Sequence, residues 1–364
     1  MTLVAGSYEK YLWGFRIKGP DRSSNDGSHS LKPLFSFPSH LSPIKSLSIS
    51  YPFAASGAAA DDAVKIYDIS SLSVIGSLTD HDGAVTSISF FTPPSLSFPR
   101  NLFTASDDGT VCIYDVDPFV CLKTVLAHKK GINDLAVHPS GKVGLTVGRD
   151  ACLGMLNLVR GKRSFCCRLV KEASIVRYDC GGGKFFMGTE EKASVHDSED
   201  ARMLFELENR KRVLCLVPGE RVEAFLIGVI AFVWTSQKIA MVSLIESYWQ
   251  STSETTCDGK DGLLLTGGED RSITAWDTRT GKVAYCIEGA HASRVKGLVV
   301  LGSRSSVNDD AELPHLIASA SSDGFIRVWD DRMAQKGKPK PFAESTFKKP
   351  VEGVKELAGV MQED

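Results

Sequence analysis

At seven places along the chain an acid stands six residues ahead of an anchor side chain, and this repeat constrains the fold more than any other feature. The pairs are Glu9 with Phe15, Asp61 with Tyr67, Asp108 with Tyr114, Asp150 with Leu156, Glu190 with His196, Asp270 with Trp276, and Asp323 with Trp329. Three residues before each anchor sits an apolar side chain: Leu12, Val64, Val111, Leu153, Ala193, Ile273 and Ile326. Directly after each comes Arg16, Asp68, Asp115, Asn157, Asp197, Asp277 or Asp330. The anchors are 52, 47, 42, 40, 80 and 53 residues apart. About 40 to 45 residues, plus loops, is the length of one four-stranded propeller blade. The interval of 80 is about twice too long for one such unit.

Around the anchors the pattern alternates with period two, as a half-buried strand requires. TVCIYDV, AVKIYDI and FIRVWD are strands of this kind, each preceded by a short small-residue strand such as LFTAS or LIASA. Asp-Gly or a similar pair turns the chain between the two. Further strands lie upstream, as in AVTSISF and INDLAVHP, and stretches with helical period are nearly absent. The chain reads as all-β.

With 43% hydrophobic and 24% charged residues, the composition is that of a soluble globular protein with a sizeable core. A formal net charge of -2 gives no global field toward nucleic acid or membrane. Nine cysteines lack paired zinc-ligand spacing, and Cys166-Cys167 lies in an apolar run. The start MTLVAGSYEKYLWG has no signal-peptide pattern, which predicts a reducing compartment and free thiols. GGGK (181–184) lacks a phosphate-loop context and reads as a hairpin turn. No catalytic residue, metal or cofactor is expected.

SASSDGFIRVWD and TGGEDRSITAWD, with His291 and His128 in GAH and LAH before a strand, resemble the units of WD-repeat β-propellers. The resemblance implies that a loop His, a Ser or Thr of the second strand, the turn Asp and the anchor Trp form a hydrogen-bonded chain inside each blade. A buried Asp is tolerable when neighbours satisfy it, so the physics agrees. The fullest sets are His291, Ser319 or Ser321, Asp323 and Trp329, and His81, Thr104 or Ser106, Asp108 and Tyr114. His128 with Asp150, Asp61 with Tyr67, and Asp270 with Trp276 belong to the same scaffold. Blades four and five, with Leu156 and His196 as anchors, should be softer.

The expected architecture is a single seven-bladed WD-repeat propeller over residues 1–360. The first anchor comes only 15 residues in, so a first strand is missing there. PVEGVKELAGV (350–360) is predicted to pair with the strand containing Leu3–Gly6 and to close the ring, removing open sheet edges. The long interval holds about 40 surplus residues, 221–261, in blade six. Its first apolar run, AFLIGVIAFVW, has 11 residues, short of a bilayer span. A span over 224–245 would bury Lys238 at a cost of several kcal/mol. No membrane association is expected, and the segment reads as an insertion from alternative splicing in preference to a partner loop.

Two stretches are candidate partner sites. Trp-Asp-x-Arg endings at 276–279 and 329–332 resemble the box by which some WD-repeat proteins dock on the adaptor of cullin-RING ubiquitin ligases, with Arg279 and Arg332 offering bidentate contacts to a carboxylate. The competing assignment is a turn arginine pairing with its own aspartate. The second is KGKPKPFAESTFKKP (336–350), a basic linker spanning about 335–350. Its Lys336, Lys338 and Lys340 could touch RNA or an acidic partner.

AGSYEKYLWGF at the start, with AHASRVKGLVVL and LIASASSDGFIRVWD near the end, is similar to the p21-activated-kinase-interacting-protein-like WD-repeat family. That resemblance implies a nuclear, largely nucleolar, non-enzymatic factor in large ribosomal subunit assembly, with pre-ribosomal proteins as partners and a second character as a negative regulator of p21-activated kinase. The 221–261 insertion and the chain's stop at Asp364, where members carry a long Lys-rich tail, depart from the family pattern. A monomeric propeller is expected.

Overall fold

The computed structural model describes residues 2–18, 30–219, 229–231, 243–245, 262–301, 316–330 and 340–346. These form seven antiparallel sheets and, among the described residues, no helix. Six blades take their four main strands in chain order. Blade two runs Ile44–Ser50, Phe53–Ala58, Val64–Asp68 and Ser73–Leu78. Blade three runs Val85–Phe91, Asn101–Ser106, Thr110–Asp115 and Val120–Leu126. Blade four runs Ile132–Val137, Val143–Gly148, Cys152–Asn157 and Lys162–Arg168. Blade five runs Ala173–Tyr178, Lys184–Thr189, Lys192–Asp197 and Met203–Glu208. Blade six runs Val213–Pro218, Leu263–Gly268, Ile273–Asp277 and Lys282–Ile287, and blade seven Val295–Leu301, Leu316–Ser321, Phe325–Asp330 and Pro341–Thr346.

All seven anchors fall on the third strand of a blade and all are buried, from 0% exposure for Tyr67 to 8% for His196. The apolar residues three positions earlier are buried as well. In every blade the pairing between third and outer strand slips by one residue immediately before the anchor, for instance between Ile113 and Tyr114 or Val328 and Trp329. The extra residue lies on the outer strand (Leu122 and Phe342 in these two cases). Such a bulge adds local twist and re-aims the neighbouring side chain. A second slip recurs between the inner and second strands of blades two to seven, leaving Lys45, Thr86, Asn133, Ser174, Leu214 and Lys296 unmatched.

Blade one contributes Thr2–Gly6, Tyr11–Lys18 and Ser30–Pro38. Its fourth position, beside Thr2–Val4, is held by Ser243–Ile245. Val229–Ala231 likewise pairs with Ser46–Ser48 at the inner edge of blade two. The 350–360 segment assigned to this edge from sequence lies outside the described residues. In blade six the inner and second strands pair from Val213↔Gly268 to Pro218↔Leu264, and the Gly219 N–H donates to the Leu263 carbonyl at 2.8 Å. The surplus residues therefore leave the blade from a closed hairpin stem. The span 335–350, read from sequence as a basic linker, needs correction: Pro341–Thr346 is the outer strand of blade seven, paired from Phe325↔Thr346 to Trp329↔Pro341. Proline and lysine content suggested a mobile tail, but an outer strand pairs along one edge and tolerates Pro341 at its start.

Candidate functional site

Blade seven holds the full polar chain. The Asp323–Gly324 turn, with Gly324 at φ 81, brings the Asp323 carboxylate under the loop carrying His291. His291 Nδ1 lies 3.2 Å from Asp323 Oδ2 and His291 Nε2 2.7 Å from Ser319 Oγ, and Trp329 Nε1 donates to the same Ser319 Oγ at 2.8 Å. Ser321 takes a different part, accepting the Asp323 N–H at 3.3 Å. Burial opposes ionisation of Asp323, yet His291 and the Phe325 and Ala292 N–H groups hold its carboxyl below the usual range.

Blade three follows this plan up to its anchor. His81 Nε2 meets Thr104 Oγ1 at 2.7 Å and His81 Nδ1 meets Asp108 Oδ2 at 3.2 Å. The Tyr114 hydroxyl, buried on the anchor position, does not join the chain. A phenol oxygen sits farther along the ring axis than an indole nitrogen, so Tyr for Trp changes the network. In blade two the same substitution is rescued. Tyr67 bonds Ser39 as well as Ser56, while His40 spans Ser56 Oγ at 2.9 Å and Asp61 Oδ2 at 2.9 Å. Burial pulls His40 and His81 below the ordinary imidazole value despite their carboxylate neighbours.

In blade four His128 bridges Asp150 Oδ1 and Thr146 Oγ1, both at 2.9 Å, and Leu156 supplies only apolar contact. Blade six has no histidine in this position. Asn209 Oδ1 accepts from Thr266 Oγ1 at 2.9 Å, and Trp276 Nε1 donates to that Thr266 hydroxyl at 2.9 Å, while Asp270 accepts the Ser272 N–H. Nothing in the charged stretch LENRK (207–211) marks Asn209 as an amide doing the work of an imidazole. In blade five His196 turns to Ser194 Oγ at 2.9 Å and the Ala201 carbonyl at 3.2 Å, and Glu190 pairs outward with Lys171 at 3.2 Å. These groups hold blades together, and among the described residues no three His, Cys, Asp or Glu side chains converge as metal ligands.

A further clasp crosses blades. Asp134, 1% exposed on the inner strand of blade four, accepts from Ser87 Oγ of blade three at 2.8 Å, and from the Val176 N–H at 3.0 Å and the Arg177 guanidinium of blade five. Near the inner strand of blade seven, burial and the Arg294 charge lower the Lys296 ammonium to about 8, and burial pushes the Cys215 thiol up to about 12. Only an acid inside the apolar run INDLAV could have signalled the Asp134 clasp.

Of the candidate partner residues, Arg279 folds back on its own turn. Its Nε lies 3.1 Å from Asp277 Oδ1 and its Nη2 3.2 Å from Oδ2, with 57% of the side chain exposed. Arg332, Lys336 and Lys338 lie outside the described residues, and Lys340 is exposed at the start of blade seven's outer strand. Among the described residues no helix is long and apolar enough to cross a membrane.

A family described as WD domain, G-beta repeat matches residues 72–115, 119–154 and 289–330, covering blades three, four and seven in large part. The chain is 28% identical over 329 residues to a p21-activated protein kinase-interacting protein 1-like protein of Danio rerio, spanning 90% of this chain and 73% of that one. It is 27% identical over 347 residues to p21-activated protein kinase-interacting protein 1 of Homo sapiens, spanning 94% and 74%. Protein MAK11 of Saccharomyces cerevisiae is 23% identical over 248 residues, spanning 62% and 60%.

Proposed function

We propose, from a chain that carries WD40 repeats on a seven-bladed β-propeller, that this protein is a non-catalytic platform for protein partners in assembly of the large ribosomal subunit, acting in the nucleus and nucleolus. One observation carries the non-catalytic part: the His, Asp, Ser and Thr residues of the repeat are hydrogen-bonded to one another inside their blades, from His40–Asp61 to His291–Asp323. Propellers then work through loops and broad rims. The assembly part rests on the likeness to the p21-activated-kinase-interacting-protein-like group.

Kinase binding is the second reading, supported by the names of the zebrafish and human relatives. A ubiquitin-ligase adaptor reading is weaker, because Arg279 would have to leave Asp277 to reach a partner. The segment 221–261 is taken as an insertion between the paired strands of the blade-six stem, with its pieces Val229–Ala231 and Ser243–Ile245 added to the edges of blades two and one.

Sedimentation of cell extract through a density gradient tests the reading, with the full chain and a 221–261 deletion compared. Travel of either form with large-subunit precursors supports assembly. Exclusive co-purification with a p21-activated kinase, and no particle association, overturns it. Recovery of the cullin adaptor that is lost on Arg279→Glu would establish the third reading.

A further inference from the structure

Charge is distributed unevenly around the ring. Residues 118–171, from the outer strand of blade three to the loop before blade five, hold ten Lys and Arg against two acids, in a chain whose total is -2. All ten cations are exposed: Lys123, Lys129, Lys130, Lys142, Arg149, Arg160, Lys162, Arg163, Arg168 and Lys171. Both acids are used internally, Asp134 in the three-blade clasp and Asp150 against His128. Within the described residues two of the ten meet a carboxylate of another blade, Arg149 with Asp107 at 2.8 Å and Lys171 with Glu190 at 3.2 Å.

The cations cover the full height of blade four. Lys129, Lys130 and Arg149 stand at the rim that carries His128 and the Asp150 turn. Lys142 and Arg160 stand at the opposite rim, and Lys162, Arg163 and Arg168 lie on the outer strand between them. A seven-residue strand spans about 20 Å, the axial length of about six phosphates on one nucleic-acid strand. Phe165 projects 55% exposed in the middle of that strand, inside KRSFCCR. An exposed ring flanked by cations can stack on an unpaired base while its neighbours hold the backbone.

We propose that the outer face of blade four is an RNA-binding surface, with Lys129, Lys130, Lys162 and Arg168 on phosphates and Phe165 stacking on an unpaired base. The ligand class is RNA that offers single-stranded loops beside a duplex. An acidic polypeptide would match the charge, but would need an apolar residue placed against Phe165 within its acidic run, whereas any unpaired RNA base offers a face for the ring. The surface is separate from the 336–350 stretch considered from sequence, and it does not rest on the assembly reading. The protein could bind RNA here and still serve another pathway.

Fluorescence anisotropy of the purified full chain with a labelled hairpin RNA of arbitrary sequence and a single-stranded loop, titrated from about 50 to about 200 mM salt, tests the surface. The quadruple variant Lys129→Glu, Lys130→Glu, Lys162→Glu, Arg168→Glu is expected to lose at least about tenfold in affinity, with a salt slope shallower by about 3. Phe165→Ala should lose at least about fivefold on the looped hairpin and little on a blunt duplex. Lys10→Glu, Lys32→Glu, Arg202→Glu, Lys282→Glu makes the same charge change at exposed sites on other blades and should cost less than about threefold. Equal losses in the two quadruple variants would reduce the effect to net charge and overturn the site. So would no RNA binding by the parent chain, or tighter binding to polyglutamate or phosphatidylserine vesicles at the same salt. Circular dichroism of each variant guards against misfolding, and Phe165→Ala provides an uncharged second arm. A variant that loses RNA yet still sediments with large-subunit precursors would separate this surface from the assembly reading.

Discussion

Blades seven and five solve one geometric problem by different chemistry. Both place their anchor just after a bulge in the third-to-outer pairing, at Val328/Trp329 and at Val195/His196. Blade seven then fills the interior with the chain from Asp323 through His291 and Ser319 to the indole of Trp329. Blade five has no loop histidine, sends Glu190 into solvent with 67% of its side chain exposed, and stacks His196 on Phe185 at 4.8 Å. The strand framework is therefore set by pleat, bulge and apolar packing, and the polar chain is an additional stiffener. Its removal should hurt where it exists and pass almost unnoticed where it does not.

The strongest break of this comparison is Asp323→Ala against Glu190→Ala. Loss of Asp323 leaves a buried imidazole and two turn N–H groups without their acceptor, which should cost about 3 kcal/mol. Glu190→Ala removes an exposed ion pair and should cost under about 0.5 kcal/mol. Urea unfolding of both variants measures the gap, and equal losses would mean the blade-seven chain adds no stability of its own.

Ser319→Ala and Ser194→Ala sharpen the same contrast at smaller scale. Ser319 Oγ meets His291 and Trp329 together, so its loss strands two buried partners and should cost about 2 kcal/mol. Ser194 meets His196 alone among the anchors, and about 1 kcal/mol is expected. A larger effect at Ser194 would refute the ranking.

Acid should separate the blades by pH window. Burial lowers His196 in blade five, and likewise His40 and His81 in blades two and three. In the unfolded chain these imidazoles take up protons near pH 6.5, earlier than in the folded state. Their contribution is thus complete above that pH and falls on acidification, by no more than about 1.4 kcal/mol per pH unit each. Asp323 is depressed instead, so its contribution is present above about pH 4 and is lost as pH falls through its lower folded value. Hydrogen exchange, corrected for intrinsic rate, should show residues 185–208 loosening between pH 7 and pH 5.5 ahead of residues 316–330. Simultaneous loosening would break the assignment.

The ring was legible because its signals are local. Period-two alternation, an Asp at a fixed offset and an anchor on the third strand can all be read along one strand and turn. The bulge before each anchor was not legible, because the extra outer-strand residues, mostly apolar as in Leu34, Ile75, Leu122, Leu204 and Phe342 but Ser164 in blade four, do not stand out in sequence from ordinary strand residues beside them. Asn209 standing in for histidine and Asp134 joining three blades depend on distances between segments far apart in sequence. The linker expectation failed at Pro341–Thr346 because an outer strand needs a partner along one edge only, so its composition is free to look like a tail.

The turn beneath each polar chain offers the smallest test. Gly109 and Gly324 follow their aspartates with φ of 85 and 81, and a Cβ on Gly109 would stand 2.6 Å from the His128 carbonyl oxygen. Ala151 and Arg271 follow Asp150 and Asp270 in blades four and six with φ of 53 and 65. An L-residue there costs about 1 kcal/mol relative to glycine, partly offset by the larger unfolded-state entropy that glycine brings. Ala151→Gly and Arg271→Gly should each gain about 0.5 kcal/mol, whereas Gly324→Ala should lose more than that. Gains at the two non-glycine turns would show that blades four and six carry the same turn as blade seven under strain. Losses there would mean that the side chains of Ala151 and Arg271 contribute contacts outweighing the backbone term.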